Sequence, residues 1–152
     1  MNLPSHIDVA KYMLPKGGIP MQCLNTLLVR YPDHTSELCR FAFNELLPVQ
    51  RIVFIHLFKQ SLQGASTIKT SAITNLLAVG YVSNKDIQSA LKSLRLKGYS
   101  HSTKTDGDLY WALSDSVNGA WLDYFKATYS PVIEDVLEAP MIIDGIGAAV
   151  RR

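Results

Sequence analysis

The stretch that decides the fold is residues 66–113, which read STIKTSAITNLLAVGYVSNKDIQSALKSLRLKGYSHSTKTDGDLYWAL. Apolar residues recur at helical spacing in its first part, so a helix is predicted to begin at Ser66 or Thr67. Gly80 is predicted to end this helix, because glycine readily takes the left-handed conformation of a helix C-terminus. The stretch therefore opens with a helix and a tight turn.

A second helix is predicted from Ser83 to about Lys97. Ser83 and Asp86 have the spacing of a capping box, in which each side chain accepts a hydrogen bond from the other residue's backbone N–H. Gly98 is predicted to end this helix. An apolar stripe of the helix would hold it against the rest of the domain, and it consists of Ile87, Ala90, Leu91 and Leu94.

Residues 99–113 are predicted to form a β-hairpin that turns at Asp106 and Gly107. An Asp-Gly pair between two strand-like runs is a strong hairpin signal, because both turn residues need positive φ. Simple alternation assigns the side chains to faces: Tyr99, His101 and Thr103 share one side of the first strand, and Leu109, Trp111 and Leu113 share one side of the second.

Positive charge is concentrated in this part of the chain. Residues 66–104 hold six Lys and Arg residues against Asp86 alone, which gives +5. Residues 1–65 carry +2 and residues 105–152 carry −5, so the net charge of the 152-residue chain is only +2. A local cationic field attracts phosphates, which favours a nucleic acid as the partner of residues 66–104.

Helix, turn, helix and β-hairpin in that order resemble the winged helix-turn-helix superfamily. The resemblance covers about residues 49–113 and lies in the order of the elements. It implies a mainly α fold with a small β-hairpin wing, and it implies binding of double-stranded DNA with the second helix in the major groove. Residues 1–48 are then an N-terminal helical extension packed on the core, and residues 114–152 are a C-terminal helical segment that could serve in dimerisation.

The flanking residues also predict helices. One is predicted to start at Ser5, which has the capping-box spacing with Asp8, and others follow at about 20–31 and 36–47. The helix from Val49 to about Leu62 is apolar nearly all round, which is typical of a central helix on which the others pack. Further helices are predicted at about 116–129 and 132–139, and residues 141–152 receive no assignment.

The resemblance implies which side chains would contact DNA. Gln bonds adenine bidentately, Lys bonds guanine, and Ser donates or accepts, so Gln88, Ser89 and Lys92 are candidates for base contacts. Lys69, Thr70, Ser71 and Lys104 are candidates for phosphate contacts. The remaining candidates on the second helix and the wing are Asn84, Lys85 and His101. A Lys-, Gln- and Ser-rich face is also what any solvated helix presents, so the face has a structural interpretation as well.

Trp121, Tyr124 and Phe125 form an aromatic stripe on the predicted C-terminal helix, and it has two interpretations. The three side chains could pack on the core of their own domain. They could instead form a homodimer interface, because large aromatic residues are enriched at such interfaces. We favour the homodimer, since a DNA site with two-fold symmetry needs a protein with two-fold symmetry.

Other residues argue against several classes of function. Cys23 and Cys39 lie in apolar helical patterns, so both are expected to be buried reduced thiols, and a reducing, cytoplasmic location is expected. No signal peptide or membrane span is visible. The histidines share no metal-ligand spacing, so no metal and no cofactor are expected, and no enzyme signature is found.

The leading hypothesis is a sequence-specific DNA-binding regulator, repressor-like, of a size compatible with a phage or another mobile element. A replication or partition protein that binds repeated DNA sites is a close variant. A protein partner is the alternative: an adaptor or inhibitor acting through the acidic C-terminal part, where Glu134, Asp135 and Glu138 form the densest acidic group.

Overall fold

The computed structural model describes residues 3–15, 17–64, 67–78, 80 and 82–128. The protein is mainly helical with a small three-stranded antiparallel sheet. The elements are α1 (Met21–Arg30), α2 (Thr35–Asn44), α3 (Pro48–Leu62), β1 (Ile68–Lys69), α4 (Thr70–Leu77), α5 (Asn84–Leu96), β2 (Ser100–Thr105), β3 (Asp108–Leu113) and α6 (Gly119–Thr128), with 3-10 turns at Ala10–Tyr12 and Pro32–His34. The helix predicted at 132–139, the unassigned residues 141–152 and the acidic group at 134–138 lie outside the described residues.

The helix predicted to start at Ser5 is wrong. Only the short 3-10 turn at Ala10–Tyr12 forms there. Asp8 Oδ1 accepts a hydrogen bond from the backbone N of Ala10, at 3.2 Å, and such local bonds compete with helix formation. The segment instead lies against the helices and places Ile7 and Ile19 in the core.

The three helices predicted between residues 20 and 62 are confirmed, with ends shifted by a few residues. The prediction that α3 is central is also confirmed, because it packs against both α5 and β3. Its buried residues point in most directions around its axis, as expected for a helix covered on several sides. They are Gln50, Val53, Phe54, His56, Leu57, Phe58 and Lys59.

The helix predicted from Ser66 or Thr67 begins later, at Thr70. Ile68 and Lys69 form β1 instead, and they pair with Trp111 and Tyr110 of β3. The sheet order is therefore β1-β3-β2. The physical reason is a contact between residues that are distant in the sequence. Pairing with β3 satisfies the backbone hydrogen-bonding groups of Ile68 and Lys69 in an extended conformation, and the helical spacing of apolar residues does not reveal such a pairing.

The predictions for α5 and the hairpin are confirmed. Ser83 Oγ accepts a hydrogen bond from the N of Asp86 at 3.1 Å, and Asp86 Oδ2 accepts one from the N of Ser83 at 3.0 Å. The hairpin turns at Asp106 and Gly107, with φ of 53° and 85°. The predicted placement of Tyr99 on one side of the first strand, with His101 and Thr103, is wrong. Tyr99 precedes β2 and is fully buried, and its hydroxyl donates to the carbonyl of Ile19 at 2.9 Å.

Helix α6 begins at Gly119, a few residues later than predicted, because Asn118 Oδ1 accepts a hydrogen bond from the N of Ala120. Trp121, Tyr124 and Phe125 are at most 4% exposed. Their rings pack against each other and against Phe43 and other core aromatic rings. In the structure, this stripe packs on the core of its own chain, which is the first of the two interpretations. These three side chains therefore leave no surface for the expected dimer interface.

The two cysteines are free thiols in different environments. Cys39 is buried as expected, and its Sγ lies 3.8 Å from the carbonyl oxygen of Ala120 in α6. Burial raises the pKa of the Cys39 thiol to about 12. Cys23 is only half-buried. The packing of α6 on α2 thus covers Cys39.

Candidate nucleic-acid interface

Helix α5 is fixed to the rest of the fold along one side and at its N-terminus. Its predicted inner stripe is buried, with Ile87, Ala90, Leu91 and Leu94 at most 4% exposed. The capping box at Ser83 and Asp86 fixes the first turn, and it holds the pKa of Asp86 below its usual value through the hydrogen bonds from Ser83. The orientation of the opposite face is therefore well defined.

The opposite face of α5 is polar, basic and exposed to solvent. Four candidate residues lie on it and are exposed: Lys85, Gln88, Ser89 and Lys92. Asn84, the fifth candidate of the helix, is exposed in the first turn, beside the buried stripe. Lys85 and Lys92 lie opposite the buried stripe at helical spacing, and neither forms a salt bridge with a described residue. Asp86 is the one acidic residue of α5, and its carboxylate is engaged in the capping box. Two unpaired cations thus face solvent from one rigid helix.

The same face carries one residue that sequence reasoning missed. Leu96 lies four residues after Lys92 and is 85% exposed. The helical spacing of Ser89, Lys92 and Leu96 could have placed it on this face. An apolar side chain there can contact the methyl group of thymine.

The three candidates around the start of α4 differ from each other. Lys69 is exposed, but its Nζ lies 3.3 Å from Asp108 Oδ2 in an ion pair. The half-buried hydroxyl of Thr70 donates to the carbonyl of Leu109 at 3.0 Å and accepts from Trp111 Nε1 at 2.7 Å, so its proton is already engaged inside the fold. Ser71 is exposed and lies in the first turn of α4.

The hairpin carries two candidates, which lie on opposite faces. His101 pairs with Ala112 and Lys104 pairs with Leu109, so their side chains point to different sides of the sheet. Both residues are exposed. The tip also exposes Asp106 and Asp108, whose charges oppose that of Lys104 toward a phosphate. The cationic character of the interface is therefore greater on α5 than at the tip of the hairpin.

Two further basic residues of the stretch contact other elements of the fold. Arg95 Nη1 donates to Ser102 Oγ at 2.6 Å, and its guanidinium lies over the ring of Trp111, 5.1 Å from the centroid. Lys97 Nζ donates to Gln50 Oε1 at 3.2 Å. Partial burial lowers the pKa of Lys97, although Glu45 acts in the opposite direction. Sequence reasoning counted both cations in the basic stretch and gave neither a structural role.

A cavity of about 310 Å³ lies between α3 and the sheet, behind the hairpin. Its wall includes Leu57, Ile68, Trp111 and His101. Within the described parts of the chain, no group of three or more His, Cys, Asp or Glu side chains is arranged to hold a metal ion. The helices among these same residues are too short or too polar to cross a membrane.

Comparison of the chain with protein-family models, with curated proteins and with solved structures found no match.

Proposed function

We propose that the chain binds double-stranded DNA as a winged helix-turn-helix protein, with α5 in the major groove. Three helices followed by a hairpin, α3, α4, α5 and then β2 and β3, fit the arrangement that the sequence resembles. In that arrangement the second helix of the pair presents its outer face to base edges. The proposed activity is that of a regulator, repressor-like, which acts by occupying its site.

The observation that carries the proposal is the exposed outer face of α5. It combines Lys85 and Lys92, which have no described acidic partner, with the amide side chain of Gln88, and Asn84 adds a second exposed amide in the first turn. Amide side chains can bond adenine bidentately, and lysine can bond guanine or a phosphate. A helix bearing these groups, held by a buried stripe and a capping box, meets the physical needs of base recognition.

Supporting contacts come from the neighbouring elements. Ser71 and Lys104 are exposed, and we propose that both contact phosphates. Lys69 contacts a phosphate as well when its ion pair with Asp108 opens. His101 is the remaining exposed candidate on the hairpin. We further propose a homodimer on a site of two-fold symmetry, with an interface other than the buried aromatic side chains of α6.

The test is a fluorescence-anisotropy titration of labelled mixed genomic fragments at two salt concentrations. A dimer making about 6–10 phosphate contacts should lose about 10³–10⁵-fold in affinity between about 50 and 200 mM salt. The double variant Lys85→Ala with Lys92→Ala should bind more weakly, and its salt slope should fall by about 2 for each bound subunit, which is about 4 for the dimer. Lys126→Ala is the matched control, since Lys126 is an exposed lysine on α6.

Equal salt slopes for the double variant and the Lys126→Ala control would contradict the proposed role of α5. Absence of binding by the wild-type protein at about 50 mM salt would contradict DNA binding altogether. A selection of bound sequences from random DNA then separates a regulator with one site from a replication or partition protein that recognises repeated sites.

A further inference from the structure

Arg95 connects the last turn of α5 to both strands of the hairpin. Its Nη1 donates to Ser102 Oγ of β2 at 2.6 Å, and its guanidinium lies 5.1 Å from the ring centroid of Trp111 in β3. Ser102 and Trp111 are cross-strand partners in the ladder, so a single side chain contacts both members of one pair. Arg95 is itself exposed and has no carboxylate partner among the described residues.

Trp111 extends this connection to the start of α4. The indole is 1% exposed, and its Nε1 donates to Thr70 Oγ1 at 2.7 Å. The hydroxyl of Thr70 in turn donates to the carbonyl of Leu109 at 3.0 Å. One continuous set of contacts, from Arg95 through Ser102 and Trp111 to Thr70, therefore joins α5, the hairpin and α4.

Other side-chain bonds also hold α5. Ser100 Oγ, in the first residue of β2, donates to the carbonyl of Leu91 at 3.1 Å and fixes the base of the hairpin on α5. Further bonds lie toward α3. Gln50 Nε2 donates to Ser93 Oγ at 3.0 Å, and Lys97 Nζ donates to Gln50 Oε1. These bonds fix α5 on α3 but do not reach the hairpin.

Ser100 therefore holds the base of the hairpin, and Arg95 contacts both strands further along, at Ser102 and Trp111. The planar guanidinium of Arg95 can stack on an aromatic ring and donate in the same plane, which a lysine ammonium cannot do.

We propose that Arg95 is a positioning residue that holds the hairpin at a fixed angle to α5, so that Lys104 and the α5 lysines bind one DNA duplex together. The inference rests on the proposed DNA binding. Its physical basis is pre-organisation: the entropy of ordering the hairpin is lost on folding, so it is not lost again on binding. Without the Arg95 contacts, Lys104 would add little to the binding that α5 provides alone.

The first test is a double-mutant cycle on DNA binding with Lys104→Ala and Arg95→Lys. Arg95→Lys keeps the positive charge and removes the planar donor, so a change cannot be ascribed to lost charge. Lys104→Ala should reduce the salt slope by about 1 for each bound subunit in the wild-type background and by about 0 in the Arg95→Lys background. An equal reduction in both backgrounds would overturn the inference.

Ser102→Ala provides a second background, in which Arg95 is unchanged and loses only its hydrogen-bond acceptor. In this background too, Lys104→Ala should reduce the salt slope by less than it does in the wild-type background. If Lys104→Ala reduced the salt slope as much in the Arg95→Lys and Ser102→Ala backgrounds as in the wild type, the inference would be overturned, because neither the planar donor nor its acceptor would then matter.

The second test does not involve DNA. Amide hydrogen exchange in the free protein should become faster in residues 100–113 of Arg95→Lys, and it should be unchanged in α1. Faster exchange in the hairpin supports its attachment to α5 by Arg95. If the wild-type protein then binds no DNA, the proposed function fails and the attachment stands. Unchanged exchange in the hairpin overturns the inference whatever the DNA titrations give.

Discussion

Helices α5 and α6 both carry a distinctive face, and the fold uses the two faces in opposite ways. The polar face of α5 is exposed along its length, from Lys85 to Lys92. The aromatic face of α6, with Trp121 at its centre, is buried in a cluster with Phe43 and Phe54. Sequence periodicity identified both faces and, for the second, favoured a dimer interface over the core.

The difference lies in how many environments each type of face can occupy. A face with two lysines and an amide can hardly be buried, because each buried charge needs a partner. An aromatic face is stabilised equally by its own core and by another subunit, and the pattern cannot distinguish them. In this chain Phe43, Phe54 and Phe58 supply aromatic partners from α2 and α3, so the core binds the face.

The largest effect is expected for Trp121→Ala. The side chain is fully buried, and its replacement should lower the free energy of unfolding by about 3–5 kcal/mol, through lost transfer energy and the cavity left behind. Urea denaturation followed by circular dichroism measures the change. If the aromatic face were an interface, the variant would keep its unfolding free energy and show a smaller oligomeric mass.

Val29→Ala is the matched control for that experiment. Val29 is apolar and helical like Trp121, but it is 83% exposed. Its replacement should change the free energy of unfolding by less than about 0.5 kcal/mol.

A smaller effect is expected at the other helix, for Ser83→Ala. The variant removes the N-cap acceptor of α5 and should cost about 0.5–2 kcal/mol of stability, as such caps typically do. Ser89→Ala, on the exposed face of the same helix, should cost much less, because Ser89 accepts no capping bond. Equal costs for the two variants would mean that the capping box does not stabilise α5.

The capping box also predicts a pH dependence. The pKa of Asp86 in the folded protein lies below its ordinary value of 3.8, chiefly because of the hydrogen bonds from Ser83. The stabilising contribution of Asp86 is therefore fully present above pH 3.8 and is lost as the pH falls through the lower folded pKa. Asp86→Asn should remove this part of the acid dependence.

The fold could be predicted where its signals are local. The capping box at Ser83 and the Asp-Gly turn at Asp106 each lie within four residues, and both elements were correctly assigned. The strand β1 was missed, because Ile68 and Lys69 are ordered by pairing with Trp111 and Tyr110, which are distant in the sequence. The helix at Ser5 was predicted from a capping pattern that a competing bond to Asp8 replaces.

The candidate site divides in the same way. Helical spacing was sufficient to identify the exposed residues of α5, since the buried stripe fixes their orientation. It was not sufficient for Thr70, whose hydroxyl is engaged by Leu109 and Trp111, or for Arg95, whose partner Ser102 lies on β2. Side chains that join different elements are defined only by the folded structure.

The most direct test of the contrast between α5 and α6 is an amide chemical-shift titration of the isotope-labelled protein with a short DNA duplex at about 50 mM salt. The amides of residues 84–92 are expected to shift progressively, while those of α6 stay in place. Shifts concentrated in α6, or no shifts in either helix at excess DNA, would contradict this expectation.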